Sequence, residues 1–373
     1  MGDDAPFPFT ETIRALPATT PFIGPETLVR QRGGQPFRAR LGANESGFGP
    51  SPQALAAMRA AAADAWCYGD PEAFELRAAL AADRGCSEER IAVGAGIDGL
   101  LGLVVRVTVT PGTPVVTSLG AYPTFNYHVA GFGGVLHKVP YRADREDLDA
   151  LCEAAWTHRP PLVYLANPDN PMGTWHDADR VARFAEALPP GTLLVLDEAY
   201  AEFAPDEAVL PLARQARHVL RFRTFSKVHG LAGQRVGYMI ADPAVVTALN
   251  KVRNHFEVTR VGQAGALAAH HDTAHRDAVV TAVAEGRRDY AGIAAAHGLA
   301  TIESATNFVA IDVGGAERAR ALVQALNARG VFIRMPGAPP LDRCIRVTVA
   351  PEPERTIFAE VLPKALDDIA QVR

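Results

Sequence analysis

Six short apolar runs, at 91–93, 114–117, 162–165, 193–196, 219–222 and 236–240, recur through the middle of the chain, separated by stretches whose apolar residues keep helical spacing. Runs without polar alternation bury both faces of a strand. Strands joined by helical crossovers must then lie mainly parallel. The pattern predicts an α/β fold: a large domain over 45–265 whose mainly parallel sheet is flanked by helices. From about 275 the rhythm changes to a long helix, strand-like 307–313, helical 316–329, strand-like 331–334 and 345–349, and a last helix. This predicts a smaller α+β domain over 266–373, with residues 1–44 as a segment packed on it.

Two helices are expected ahead of the first run. Ser51 caps the first and Pro52 starts it; Leu55, Met58, Ala62 and Trp66 then form its buried face. Asp70 caps the second and Pro71 starts it; Phe74, Arg77 and Leu80 follow, and Gly85 stops it.

The balance of 37 basic and 42 acidic side chains gives a net charge of −5, without the basic stripe that nucleic acid demands. Cys67, Cys86, Cys152 and Cys344 form no C-x-x-C pair, so neither a zinc knuckle nor a disulfide framework is expected. The first residues, Met1-Gly-Asp-Asp-Ala-Pro6, lack the basic and apolar order of a signal peptide, and no run has the length of a membrane span. A soluble cytoplasmic protein is the expectation.

Gly94-Ala-Gly96-Ile-Asp-Gly99 follows a strand and opens a helical pattern, as a dinucleotide fingerprint does. No Asp or Glu occurs from Gly99 to Ala143, so the acidic residue needed for the ribose is missing. What survives is a glycine turn into a helix N-terminus, able to offer N–H groups to a phosphate. No Gly-Lys pair exists to build a Walker loop. His270, His271 and His275 lack a carboxylate at ligand spacing, and no metal is expected.

Lysine is scarce: Lys138, Lys227, Lys251 and Lys364 are the only four. Lys227 lies in Arg223-Thr-Phe-Ser-Lys-Val-His-Gly-Leu-Ala-Gly-Gln-Arg235, just past an apolar run, where α/β sheets place their ligands. Leu193-Leu-Val-Leu-Asp197-Glu-Ala-Tyr200 brings a carboxylate and a phenol to another strand end. Asn167-Pro-Asp-Asn170-Pro-Met-Gly173 brings an amide to a third. Pyridoxal phosphate needs this set: an amine for its aldehyde, a carboxylate for its ring nitrogen, donors for its 3-oxygen, and hydroxyls with a guanidinium for its phosphate.

Taken with Leu41-Gly-Ala-Asn44-Glu-Ser-Gly-Phe-Gly-Pro, Tyr68-Gly-Asp-Pro-Glu-Ala, Tyr122-Pro-Thr and Cys344-Ile-Arg346-Val-Thr-Val, these segments resemble, in order and over nearly the whole chain, the fold-type I aminotransferases, and most closely their histidinol-phosphate aminotransferase branch. The resemblance implies pyridoxal 5′-phosphate as cofactor. Lys227 would form the Schiff base and then move the proton between Cα and C4′. Asp197 would hold the ring nitrogen, Asn170 and Tyr200 the 3-oxygen, and Tyr122 would stack on the ring. Thr224, Ser226, Arg235 and the backbone turn Ala95, Gly96 and Ile97 would hold the phosphate, with Tyr68 arriving from the second subunit of a homodimer. Arg346, Arg334 and Asn44 would bind substrate, Arg346 by clamping a carboxylate through a bidentate pair and Arg334 by helping to bind a phosphorylated substrate. The implied reaction passes an amino group, by alternating half-reactions, from a donor such as glutamate to an oxo substrate; all partners are small molecules.

The chain departs from the branch at four places. Ile97 stands where the usual Gly-Asn-Gly-Ser-Asp-Glu turn has its hydroxyl, Asn-Pro-Asp-Asn-Pro-Met-Gly replaces Asn-Pro-Asn-Asn-Pro-Thr-Gly and puts Met172 near the site, Ala350 replaces a glycine, and Phe22-Ile-Gly-Pro only loosely echoes the N-terminal substrate segment. An aromatic aminotransferase and a lyase such as a threonine-phosphate decarboxylase share Lys227, Asp197 and Arg235 and stay open as alternatives.

Overall fold

The computed structural model describes residues 7–18 and 23–371, so Met1–Pro6 and Phe22 lie outside the described residues. The strands are β1 (Ala39–Arg40), β2 (Ile91–Gly94), β3 (Pro114–Ser118), β4 (Val135–Val139), β5 (Leu162–Ala166), β6 (Leu193–Asp197), β7 (Val219–Thr224), β8 (Gly237–Ile240), β9 (Ala300–Thr301), β10 (Phe308–Asp312), β11 (Val331–Phe332) and β12 (Cys344–Thr348). The helices are α1 (Glu11–Ala15), α2 (Pro25–Gln31), α3 (Pro52–Ala62), α4 (Phe74–Arg84), α5 (Gly96–Thr108), α6 (Pro123–Gly131), α7 (Leu148–His158), α8 (Ala178–Ala187), α9 (Pro243–Asn250), α10 (Arg260–His271), α11 (Thr273–Ala296), α12 (Ala316–Ala328) and α13 (Glu352–Gln371).

All six apolar runs become strands of one seven-stranded sheet, in the order β2-β8-β7-β6-β5-β3-β4. Strands β3 to β7 pair in parallel and β8 runs antiparallel between β2 and β7, so the sheet is mostly parallel, as the crossovers demand. The seventh strand, β4, was not expected: His137 and Lys138 break its apolar pattern because it is the sheet edge, half exposed. Helices α7 and α8 cover one face, closing a core of Val163, Leu165, Leu194 and Leu196 with Leu148, Leu151 and Phe184. On the other face α5 and α6 close a core that continues through Tyr200 and Phe308 into the second sheet. That sheet, β12-β10-β9, is antiparallel.

Helix α10 runs across position 265, and the chain turns toward the second sheet at Asp272, whose carboxylate caps α11 at the His275 amide. The N-terminal segment divides: β1 pairs with β11, while α1 lies against α6 of the large sheet's layer.

The two early helices differ in detail from their sequence patterns. Ser51 caps α3 by accepting from the Ala54 amide at 3.1 Å, yet Leu55 and Trp66 stay exposed and Ala54 is the residue buried. Asp70 accepts from the Phe74 amide at 2.7 Å, so α4 starts at Phe74 rather than Pro71, and Leu76, Leu80 and Ala81 form its buried face. Gly85 ends it with φ of 66°.

Where β6 and β7 end, the side chains on the reverse face are charged. Glu198 accepts from Arg221 through both oxygens, at 2.8 and 2.9 Å, and from Arg223 at 2.8 Å; Arg223 also donates to Glu202 at 3.0 Å. Glu198, Arg221 and Arg223 are almost wholly buried. Two positive and two negative charges compensate one another there, which is what makes their burial tolerable. Removing one leaves an excess buried charge. Glu198→Ala should therefore lower unfolding free energy by about 3–5 kcal/mol in urea denaturation, while Glu198→Met with Arg221→Met should lose much less.

Candidate active site

The carboxyl ends of β5, β6 and β7 open into a cavity of about 840 Å³ between the two sheets. Parallel strands buried on both faces leave their polar side chains one place to emerge, which is this end. Asp197 closes β6 and is 5% exposed. Its Oδ2 accepts from the Tyr164 hydroxyl at 2.8 Å and its Oδ1 from the Ala199 amide at 3.0 Å. Burial outweighs both bonds and pushes its pKa up to about 6.

After β5, Asn167 is spent on structure: its amide donates to the carbonyls of His176 and Ala208 and accepts from the His176 amide. Asn170 faces the cavity, donating to the Tyr200 hydroxyl at 3.4 Å and accepting from Arg346 at 2.5 Å. Asp169 holds the turn between them through the Met172 amide at 3.0 Å and the Tyr141 hydroxyl at 2.7 Å. Met172 does not reach the site, contrary to expectation. The turn swings it into a small core with Tyr141, Ala310, Leu341 and Cys344, where it is fully buried.

Lys227 follows β7 on a turn in which Thr224 Oγ1 accepts from the Ser226 amide at 3.0 Å. Its Nζ donates to the Asn44 carbonyl at 3.1 Å and lies over the Tyr200 ring at 5.5 Å. Burial, then the guanidinium of Arg346, lowers its pKa from 10.5 to about 8. Asn44, buried with φ of 54°, donates to the Tyr200 hydroxyl at 3.0 Å, and its carbonyl also accepts from Asn307. Thr348 fixes it through the Asn44 amide and Oδ1. Asn44 thus orients the amine and the phenol. Burial raises the Tyr200 pKa to about 12, so the hydroxyl stays a proton donor at neutral pH.

At one end of the cavity Thr224, Ser226 and Arg235 meet the N-terminus of α5. Arg235 donates to Ser226 Oγ and to Asp98, each at 3.4 Å, and Asp98 accepts from the Tyr122 hydroxyl at 2.9 Å. Gly96 sits at φ of 72°, and a Cβ there would lie 2.6 Å from Arg235 Nη2. The glycine is needed for the guanidinium to cross the helix end. Of the expected turn, Ile97 lines the cavity, while the Ala95 amide is already given to Glu257 at 3.3 Å.

Arg346 and Arg334 lie side by side, joined by a backbone bridge. Arg346 donates to the Gly42 carbonyl and stacks over Phe308 at 5.3 Å, and its buried Nε has no partner among the described residues. Arg334 donates to the Ile23 carbonyl at 2.8 Å. Ala95 and Gly96 of the expected turn lie outside the lining, and Tyr68 does not line this chain's cavity: it is 76% exposed and stacks on Phe256, ring centroids 4.6 Å apart. Sequence reasoning missed Tyr164 and Asp98. A phenol inside an apolar run gives no signal, and Asp98 stood out only as part of the glycine turn. Among the described residues no group of three or more His, Cys, Asp or Glu is placed to hold a metal.

The chain matches the family described as aminotransferase class I and II over residues 39–362. It belongs to that family. Among its relatives are histidinol-phosphate aminotransferases: that of Anaeromyxobacter sp. (strain Fw109-5) is 38% identical over 88% of this chain and 92% of its own, and that of Roseiflexus castenholzii 37% identical over 94% and 96%. The crystal structure of histidinol-phosphate aminotransferase from Sinorhizobium meliloti in complex with pyridoxal-5′-phosphate superposes with a TM-score of 0.94 at 52% identity, covering 97% of this chain and 98% of that one.

An amine of pKa about 8 is protonated below that pH and neutral above it. Reductive labelling of Lys227 in the cofactor-free protein by a small aldehyde and cyanoborohydride, read by peptide mass spectrometry, should rise up to pH 8 and then level. An ordinary lysine would keep rising toward about 10.4.

Proposed function

We propose that this aminotransferase moves an amino group between histidinol phosphate and a dicarboxylic 2-oxo acid, with pyridoxal phosphate held in the cavity. The observation that carries the reading is the joint placement of Lys227, Asp197, Asn170 and Tyr200 in one cavity that has a cationic phosphate cup at one end and two arginines facing it. The 52% identity to the Sinorhizobium enzyme supports the substrate.

The residues fit the cofactor. The cup combines two hydroxyls, a guanidinium and the end of α5, and Gly96 leaves space that a Cβ would fill. Bound there, pyridoxal phosphate supplies an aldehyde for amines and a ring that accepts the electrons left when Cα loses its proton. Asp197 would keep a proton on the ring nitrogen, where a buried carboxylate held by Tyr164 and Ala199 cannot swing away. Asn170 and Tyr200 would orient the 3-oxygen, and Tyr122 would cover the ring. Lys227 Nζ, neutral for a large fraction of the time near pH 8, would take the proton from Cα and return it two bonds away, at C4′. Arg346, with an Nε left unpaired among the described residues, and Arg334 would hold the substrate anion. Asn44, which lines the cavity, would bind substrate as the resemblance implies and also supports the amine through its carbonyl.

The exposed Tyr68 supports a homodimer in which a second copy brings this phenol to the neighbouring cup. Four unpaired thiols suit a reducing cytoplasm, and among the described residues no helix is long and apolar enough to cross a membrane.

Purified holoenzyme given histidinol phosphate and 2-oxoglutarate should release glutamate. Preference for phenylalanine as donor, or release of carbon dioxide without an oxo product, would refute the assignment. Asp197→Ala should lower kcat by about 10²–10⁴-fold in the same assay. Arg346→Ala should raise KM for histidinol phosphate by about tenfold or more.

A further inference from the structure

Five cations line the cavity, Lys138, Lys227, Arg235, Arg334 and Arg346, against three carboxyl groups, Glu45, Asp98 and Asp197. Four of the cations are engaged: Lys227 with the Asn44 carbonyl, Arg235 with Asp98, Arg334 with the Ile23 carbonyl and Arg346 with Asn170. Lys138 has no hydrogen bond and no ion pair among the described residues.

Its strand explains where it points. Lys138 lies near the carboxyl end of β4, in register with Thr117. Alternation sends His137 toward α7, where it stacks on His158 at 3.5 Å, and sends Leu136 and Lys138 to the opposite face, against α6. Lys138 is exposed, and its side chain lies at the cavity rim. Asn126 of α6 lines the same wall, but its Oδ1 is sealed from solvent. The wall therefore holds one unused charge, that of Lys138.

We propose that Lys138 forms a distal anion subsite that takes the second carboxylate of the dicarboxylic substrate while Arg346 holds the first. The inference rests on the amino-transfer reading above, in which one cavity must serve two unlike substrates in turn. A phosphorylated amine carries one anionic group and a dicarboxylate two, so the far charge separates them. The competing role for a lysine on an edge strand is protection against edge pairing, which predicts no effect on ligands.

The test measures binding of glutarate and of butyrate to the holoenzyme by titration calorimetry, in the wild type, Lys138→Met and Lys138→Arg. Methionine keeps the stem and removes the charge. Glutarate affinity should fall about tenfold in Lys138→Met, recover in Lys138→Arg, and butyrate affinity should stay unchanged in both. KM for 2-oxoglutarate should rise in parallel without loss of kcat, while KM for 2-oxobutyrate should not. Equal effects on glutarate and butyrate, or none, would overturn the subsite, as would a loss confined to histidinol phosphate. Both acids bind without turnover, so the calorimetric ratio remains readable even if histidinol phosphate proves not to be a substrate.

Discussion

Everything in this molecule depends on the closure of β5, β6 and β7 from both faces. With α7 and α8 on one side and α5 and α6 on the other, the backbone groups of these strands are paired and their side chains are apolar almost to the last residue. Polar chemistry is thereby confined to one end of the sheet. Ala166, Asp197 and Phe222 stand level in the ladder, so the segments that follow, with Asn170, Tyr200 and Lys227, start from one line and reach one crevice.

Burial then tunes what arrives there. The same loss of water raises Asp197 and lowers Lys227, because it penalises whichever form is charged. Each group also lies in the field of the other, which favours the charged form of both; burial is the larger effect in each case. The amine, at about 8, becomes available near physiological pH, and the carboxyl, at about 6, stays close to ionisation. Tyr200 moves the opposite way from Lys227 and keeps its proton. Three titratable groups within one cavity are thus shifted to three different values by the same burial.

Much of this was legible in the residues. The strand positions followed from apolar runs, and Lys227, Asp197 and Asn170 stood out as the polar residues directly after them. The sheet edge was not legible, because an exposed strand carrying His137 and Lys138 loses the apolar signature. Nor was the antiparallel course of β8, since periodicity has no direction. Trp66 and Leu55 fit a helical spacing and yet face outward, because α3 seats itself through small residues such as Ala54 against α10. The support that Asn44 gives the amine was not legible: a left-handed backbone at position 44, clamped by Thr348 of the second sheet, could be found only in three dimensions. Tyr68 was visible solely through resemblance, since nothing within one chain brings it to the cavity.

The quartet behind the sheet, Glu198 and Glu202 with Arg221 and Arg223, bears on how such a sequence can change over time. Its members are constrained by neutrality, since each single charge change leaves a buried partner uncompensated. Viable divergence there has to proceed by paired replacement. A lineage that once exchanged Glu198 together with Arg221 for apolar residues would find the return path as closed as the outward one, so two stable versions of the same sheet could persist side by side with few intermediates between them.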